Sequence, residues 1–95
     1  MNHYSILIPA DTDRRKFHDL LINEVGEYFV TTMNFYSTTI PAGDARSMVI
    51  DYRVMCSRAL MQDIMADALK MFPKGTRIAA TLLGVTTFHF GEQNP

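Results

Sequence analysis

Few side chains in this chain are equipped for chemistry, and their spacing limits what they can do. Cys56 stands just ahead of a helical pattern that opens at Ser57, where the positive end of a helix dipole lowers a thiol pKa and makes a thiolate nucleophile. The alternation of its own segment turns Cys56 inward, and there a free cysteine serves as a small hydrophobe. His3, His18 and His89 are too scattered for any close metal-ligand spacing, and a single cysteine cannot complete a zinc set. His89, between Phe88 and Phe90, is the best lone candidate for an acid, a base or a ligand, set against the commoner structural or solvent-exposed imidazole.

Two further groupings merit weighing. Asp11, Thr12, Asp13, Arg14 and Arg15 place backbone donors and two guanidinium groups at a helix start, a place that can hold a phosphate or carboxylate. The two aspartates oppose an anion there, which favours a plain capped helix. The connection 38–46 joins two strands and combines Thr38, Pro41, Gly43, Asp44 and Arg46, and loops on rigid scaffolds often carry recognition. With Tyr36, Asp51 and Arg53 on the flanking strands, and His89, these residues make up the expected partner- or ligand-binding set. No catalytic residue, metal site or cofactor is expected. Phosphate loops, nucleophile elbows, paired metal-binding histidines and dinucleotide fingerprints are all missing from the sequence.

The elements that must position these side chains follow from periodicity. Tyr4 to Ile8 is a short apolar run ending at Pro9, and it reads as a strand. A helix is expected to begin among Asp11, Thr12 and Asp13, with Phe17, Leu20, Leu21, Val25 and Tyr28 along its apolar side. Gly26 weakens its last turn by about 1 kcal/mol relative to alanine. Residues 29–40, rich in threonine and aromatics, suit a second strand. SMVIDYRVMCS, 47–57, is the third, with Met48, Ile50, Tyr52 and Val54 on one side and Val49, Asp51, Arg53 and Met55 on the other. Ser57 caps a second helix on which Leu60, Met61, Ile64, Met65, Ala68, Leu69 and Phe72 recur at helical spacing, and Pro73 and Gly75 end it. RIAATLLGVTTFHF supplies a fourth strand, in which Gly84 marks a bulge, a bend or a break into a fifth, and GEQNP reads as a frayed tail.

The order β-α-β-β-α-β predicts one α+β domain over 1–95, a ferredoxin-like sandwich with a four-stranded antiparallel sheet and both helices on one face. Strands one and three lie in the middle, and strands two and four at the edges. Met33, Met48, Met61 and Met65 then fall on core faces, so core filling accounts for most of the seven methionines. The opposite face receives no cover from the chain. Val30, Thr32, Asn34, Tyr36 and Thr38 are expected there beside Val49, Asp51, Arg53 and Met55, joined by either Ala79, Thr81 and Leu83 or Ile78, Ala80 and Leu82. Such a mixture, too apolar for a wetted surface and too polar for a core, suits a subunit interface or a ligand platform.

Composition narrows the partners. Nine Lys plus Arg against ten Asp plus Glu give a net charge of −1, which leaves no broad field for nucleic acid or an anionic membrane. An RNA-reading sheet of this topology wants alternating aromatics on its third strand, where only Tyr52 is found, on the wrong face. A single cysteine in a small domain points to a reducing, cytoplasmic setting, and no apolar run approaches the roughly 18 residues that cross a bilayer.

At the level of element order the chain resembles several ferredoxin-like groups, among them PII-like signalling trimers and dimeric α/β-barrel proteins. The leading expectation is a non-catalytic regulatory or inhibitory module that binds a protein partner or itself, as a homo-dimer or trimer, through the open sheet and the 38–46 loop. A small lineage-restricted protein of viral or mobile-element type fits this class. The alternatives are a PII-like oligomeric sensor, with Arg46 and Arg53 on a small anionic ligand, and a small dimeric-barrel enzyme with His89, Asp51, Arg53 or Tyr36 in a cleft.

Overall fold

Alternation in β1 (Asn2–Pro9) sends Tyr4, Ile6 and Ile8 inward, and the same rule in β3 (Arg46–Cys56) sends Ile50, Tyr52, Val54 and Cys56 to that same side. The computed structural model describes residues 2–11, 13–26, 29–39, 46–82 and 85–93, and for residues 31–33, 39, 46, 47, 85, 86 and 88 the backbone alone. α1 (Arg15–Val25), β2 (Val30–Thr39), α2 (Arg58–Leu69), β4 (Arg77–Leu82) and β5 (Val85–Phe90) complete an α+β arrangement. Its sheet has five antiparallel strands in the order β2-β3-β1-β4-β5.

The core lies between one sheet face and both helices. Phe17 and Leu21 from α1, and Met61, Ile64, Met65 and Ala68 from α2, join Ile6, Ile8, Ile50, Tyr52, Val54 and Ile78 in one cluster. Phe17 meets Tyr52 edge-on, with centroids 5.4 Å apart, and lies 5.7 Å from Phe72. Each large side chain buried this way contributes about 1.5 to 3 kcal/mol before chain entropy is charged. The two conditions on which the fold expectation rests are met: the helices share a face, and Ile50 and Val54 are fully buried. Among the described residues no helix is long and apolar enough to cross a membrane.

Several expectations need correction. The sheet has five strands rather than four, because VTTFHF, built of β-branched and aromatic residues, pairs along β4 from Arg77↔Phe90 to Leu82↔Val85. β4 is therefore interior and β5 takes the edge, while β2 holds the other edge as expected. Gly84 itself lies outside the described residues. α1 starts at Arg15 rather than among Asp11 to Asp13, since Asp13 accepts the Arg15 N–H at 3.1 Å and pairs with its guanidinium at 3.3 Å, ahead of the first turn. At its other end Gly26, at φ 98°, closes the helix in a conformation that suits glycine. Ser57 caps α2 as expected, accepting the Leu60 N–H at 3.2 Å.

Val30 was expected on the open face, but a register shift between Val30 and Thr32 turns it to the helix side, where it pairs with Val54 and packs on the core. Met48 was expected inside yet is 53% exposed: it lies outside the core cluster and lines an open cavity with Pro9, Asp11, Asp13 and Lys16, although Ala10 N–H still donates to its carbonyl at 2.9 Å. Phe35 reaches the helix side and is also half exposed, with the Arg14 guanidinium 5.5 Å above its ring. The side chain of Met33 lies outside the described residues.

The tail is not frayed as far as Gln93. Gly91 N–H donates to Thr76 O at 2.8 Å, Glu92 N–H to Leu69 O at 2.9 Å, and Gln93 N–H to Phe72 O at 3.0 Å, which fastens it to the turn after α2.

Candidate functional site

The face away from the helices is not bare. Val49, Asp51 and Ala79 are buried on it, at 0%, 1% and 1% exposure, beneath the side chains of neighbouring strands. Asp51 lies at the middle of this cover. In register, Asp51 stands opposite Leu7 on β1 and Asn34 on β2, while Ser5 pairs with Arg53 and Tyr36 with Val49. Ser5 and Tyr36 are thus diagonal neighbours of Asp51 from the two flanking strands, within side-chain reach.

Ser5 Oγ donates to Asp51 Oδ1 at 2.7 Å and the Tyr36 hydroxyl donates to Oδ2 at 3.0 Å. Arg53 Nε lies 3.2 Å from both carboxylate oxygens and Nη2 lies 3.1 Å from Oδ2. Among the described residues every buried side-chain nitrogen and oxygen has a hydrogen-bond partner. The carboxylate sits at the bottom of the cluster, and the side chain of Arg53, 55% exposed, and the ring of Tyr36 form its outer surface.

The electrostatics of this cluster favour the protonated forms of its two outer donors. Partial burial raises the Tyr36 pKa, aided by its hydrogen bond to Asp51 and by that carboxylate's charge, with Arg53 opposing. The bond to Asp51, and then its charge, raises the Arg53 pKa further. Tyrosine and arginine are both kept in their protonated forms. Ser5 donates directly to Asp51 and not through an imidazole, so the pair lacks the relay that activates a nucleophilic serine.

The expected site residues separate into groups. Tyr36, Asp51 and Arg53 come together, and Thr38 shares their face through its pairing with Ser47. Arg46 opens β3 opposite Thr39, with its side chain outside the described residues. Asp44 and most of the 38–46 loop are also outside them. His89 pairs with Ile78 and therefore belongs to the helix side, where it lines a groove beside α2. Burial lowers its pKa. Ser5 was missed, although a hydroxyl at an odd position within the apolar run YSILI was the available signal.

The remaining candidates have structural explanations. Cys56 is buried at 2% exposure, and that burial pushes its thiol pKa up, as befits a small hydrophobe. Arg15 is paired with Asp13, whose carboxyl it holds below its usual range, and Arg14 lies over Phe35. The Tyr52 hydroxyl lies 3.4 Å from His18 Nδ1. Among the described residues no group of three His, Cys, Asp or Glu could hold a metal ion. Compared with known proteins, the chain matches no family model, no curated protein and no solved structure.

Proposed function

We infer that the chain is a non-catalytic regulatory or inhibitory module that binds protein through the helix-free sheet face and the adjoining 38–46 connection, with a second copy of itself as its first partner. The observation that carries this reading is the fixing of Tyr36 and Arg53 by the buried Asp51. Tyrosine and arginine are the residue types that dominate interface energetics, and side chains already held in place lose less freedom on binding. A net charge of −1 gives two copies little reason to repel one another. We read the fold as a ferredoxin-like sandwich with β5 added at the edge, a reading supported by the β2-β3-β1-β4 order and the shared helix face. The expected setting is the cytoplasm, where a single buried free thiol stays reduced.

The alternatives draw less support. An anion sensor needs a guanidinium to offer, and that of Arg53 is engaged by Asp51. A dimeric-barrel enzyme needs His89 near Asp51, Arg53 or Tyr36, and His89 belongs to the other face.

Light scattering across a concentration series tests the proposal. The wild type is expected at two or three times the 10.8 kDa chain mass, and Asn34→Glu, an exposed change on the same face, is expected to shift it to monomer. A monomer at every concentration removes self-association, and an unchanged mass in Asn34→Glu removes this face as the interface.

A further inference from the structure

Five strands at about 4.8 Å spacing make a layer about 24 Å wide, whereas two helices packed 8–10 Å apart shelter about 20 Å. β5 extends past that shelter. On the helix side, α2 and the β4–β5 pair enclose an open groove of about 670 Å³. Its volume lies in the range of small-molecule sites, which are mostly apolar with a few placed polar groups. Met61, Met65 and Leu69 of α2 form one wall, and Ala80 and Leu82 of β4 form the floor.

The polar groups are unevenly placed. α2 starts at Arg58, two residues after Cys56, which pairs with Asn2, and Tyr4 pairs with Leu82, so Arg58 lies at the Leu82 end. His89 pairs with Ile78, four residues back along β4, which is about 13 Å away. Arg58 brings a guanidinium to the first turn of α2, where the helix also presents its positive end. Among the described residues that line the groove there is no carboxylate. At the far end, the half-buried His89 makes no hydrogen bond to the described residues, and burial keeps its imidazole toward the neutral form. One end is therefore cationic, the middle is mostly apolar with the exposed Gln62 and Thr87 at its rim, and the other end is uncharged.

We propose that this groove binds a medium-chain carboxylate, its head group at Arg58 and its apolar chain laid along α2 toward His89. A cationic amphiphile places like charge against Arg58, and a nucleotide or sugar brings more polar groups than Gln62, Thr87 and His89 can partner along a wall of Met61, Met65 and Leu82. The site lies on the helix side and is independent of the sheet face assigned to protein binding.

Decanoate, kept below its micelle concentration, is the probe for the full chain, read by calorimetric titration and by methionine methyl NMR. Saturable one-to-one binding is expected, with the Met61 and Met65 methyls shifting and that of Met48, which lines a different cavity, unmoved. Octanoate should bind more weakly, by up to about fourfold for each methylene removed, and decylamine about tenfold more weakly than decanoate. Arg58→Glu should weaken decanoate about tenfold while leaving decanol unchanged. Ala66→Phe, an exposed groove position on α2, should abolish both, with circular dichroism confirming that each variant folds. The proposal is overturned by absence of saturable binding, by decylamine binding as well as decanoate, by unchanged affinity in Arg58→Glu and Ala66→Phe, or by shifts confined to methyls outside the groove.

Discussion

The Tyr36 hydroxyl donates to the buried carboxylate of Asp51 across the β2–β3 pair at 3.0 Å, joining an edge strand to a group with 1% exposure. A charged side chain removed from water needs its oxygens occupied, and here the occupants come from three strands: Ser5 on β1, Tyr36 on β2 and Arg53 beside it on β3. The same bonds that satisfy Asp51 decide which groups the sheet presents outward. Core side chains on the other face set the fold, while this cluster sets the surface.

Removing the acceptor should be more damaging than removing the cation. Asp51→Ala leaves a buried space and takes the partner from Ser5, Tyr36 and Arg53, with an expected loss of about 2–4 kcal/mol in urea unfolding. Arg53→Ala should lose about 1–2 kcal/mol, since the guanidinium is half in water and Ser5 and Tyr36 continue to hold the carboxylate. Equal losses, or the reverse order, would contradict the assignment of Asp51 as the centre of the cluster.

Two phenols should ionise late. Burial raises the pKa of both Tyr36 and Tyr52 above 10.0, with the Asp51 bond adding for Tyr36 and Arg14 opposing for Tyr52. Folding favours the neutral phenol at each, so this stability is complete below pH 10.0 and is lost as pH rises through the folded-state values. Alkaline absorbance titration of Tyr36→Phe and Tyr52→Phe against wild type should assign late-ionising phenols to these positions. An ordinary titration at both, with stability flat above pH 10, would rule the effect out.

Much of the core was legible because β3 alternates so cleanly. Ile50, Tyr52, Val54 and Cys56 face the helices as their parity requires, and Phe17, Leu21, Met61, Ile64 and Met65 meet them at helical spacing. The departures come from features that pattern does not encode. A single register shift after Val30 reverses which face that residue takes, and Met48 lies beyond the core cluster on the wall of an open cavity. Asp51 read as one more polar residue on an open face, because its burial depends on Ser5, 46 residues away in sequence, and on Tyr36, 15 away. The docked tail was illegible for another reason: GEQ is held by backbone groups, which side-chain types do not report.

Cys56 should resist modification in the native protein. It is buried at 2% exposure, and burial disfavours its thiolate. Labelling by an aromatic disulfide reagent is expected to be slow in buffer and prompt in denaturing urea. Stoichiometric labelling of folded protein within the mixing time would restore the reactive-thiol reading.

Gly91 tests whether the tail belongs to the fold. It is buried, and a Cβ added there would come within 2.7 Å of Phe72 O and closer still to Pro73 O. Those oxygens belong to the backbone of the turn that the tail grips, so neither can swing aside as a side chain does. Gly91→Ala must therefore shift the turn or lift the tail, and lifting it breaks the Glu92 N–H bond to Leu69 O and the Gln93 N–H bond to Phe72 O. The expected loss is about 1–3 kcal/mol, as for other overpacked sites, which for a domain of this size lowers the melting temperature by roughly 4–8 °C per kcal/mol. Amide exchange separates the two routes: protection at Glu92 and Gln93 should fall in the variant while that of β1 and β3 persists. Lost protection at Glu92 and Gln93 with an unchanged melting temperature would mean that the tail contributes nothing to stability, and unchanged protection with an unchanged melting temperature would mean that the turn absorbs the added Cβ without cost.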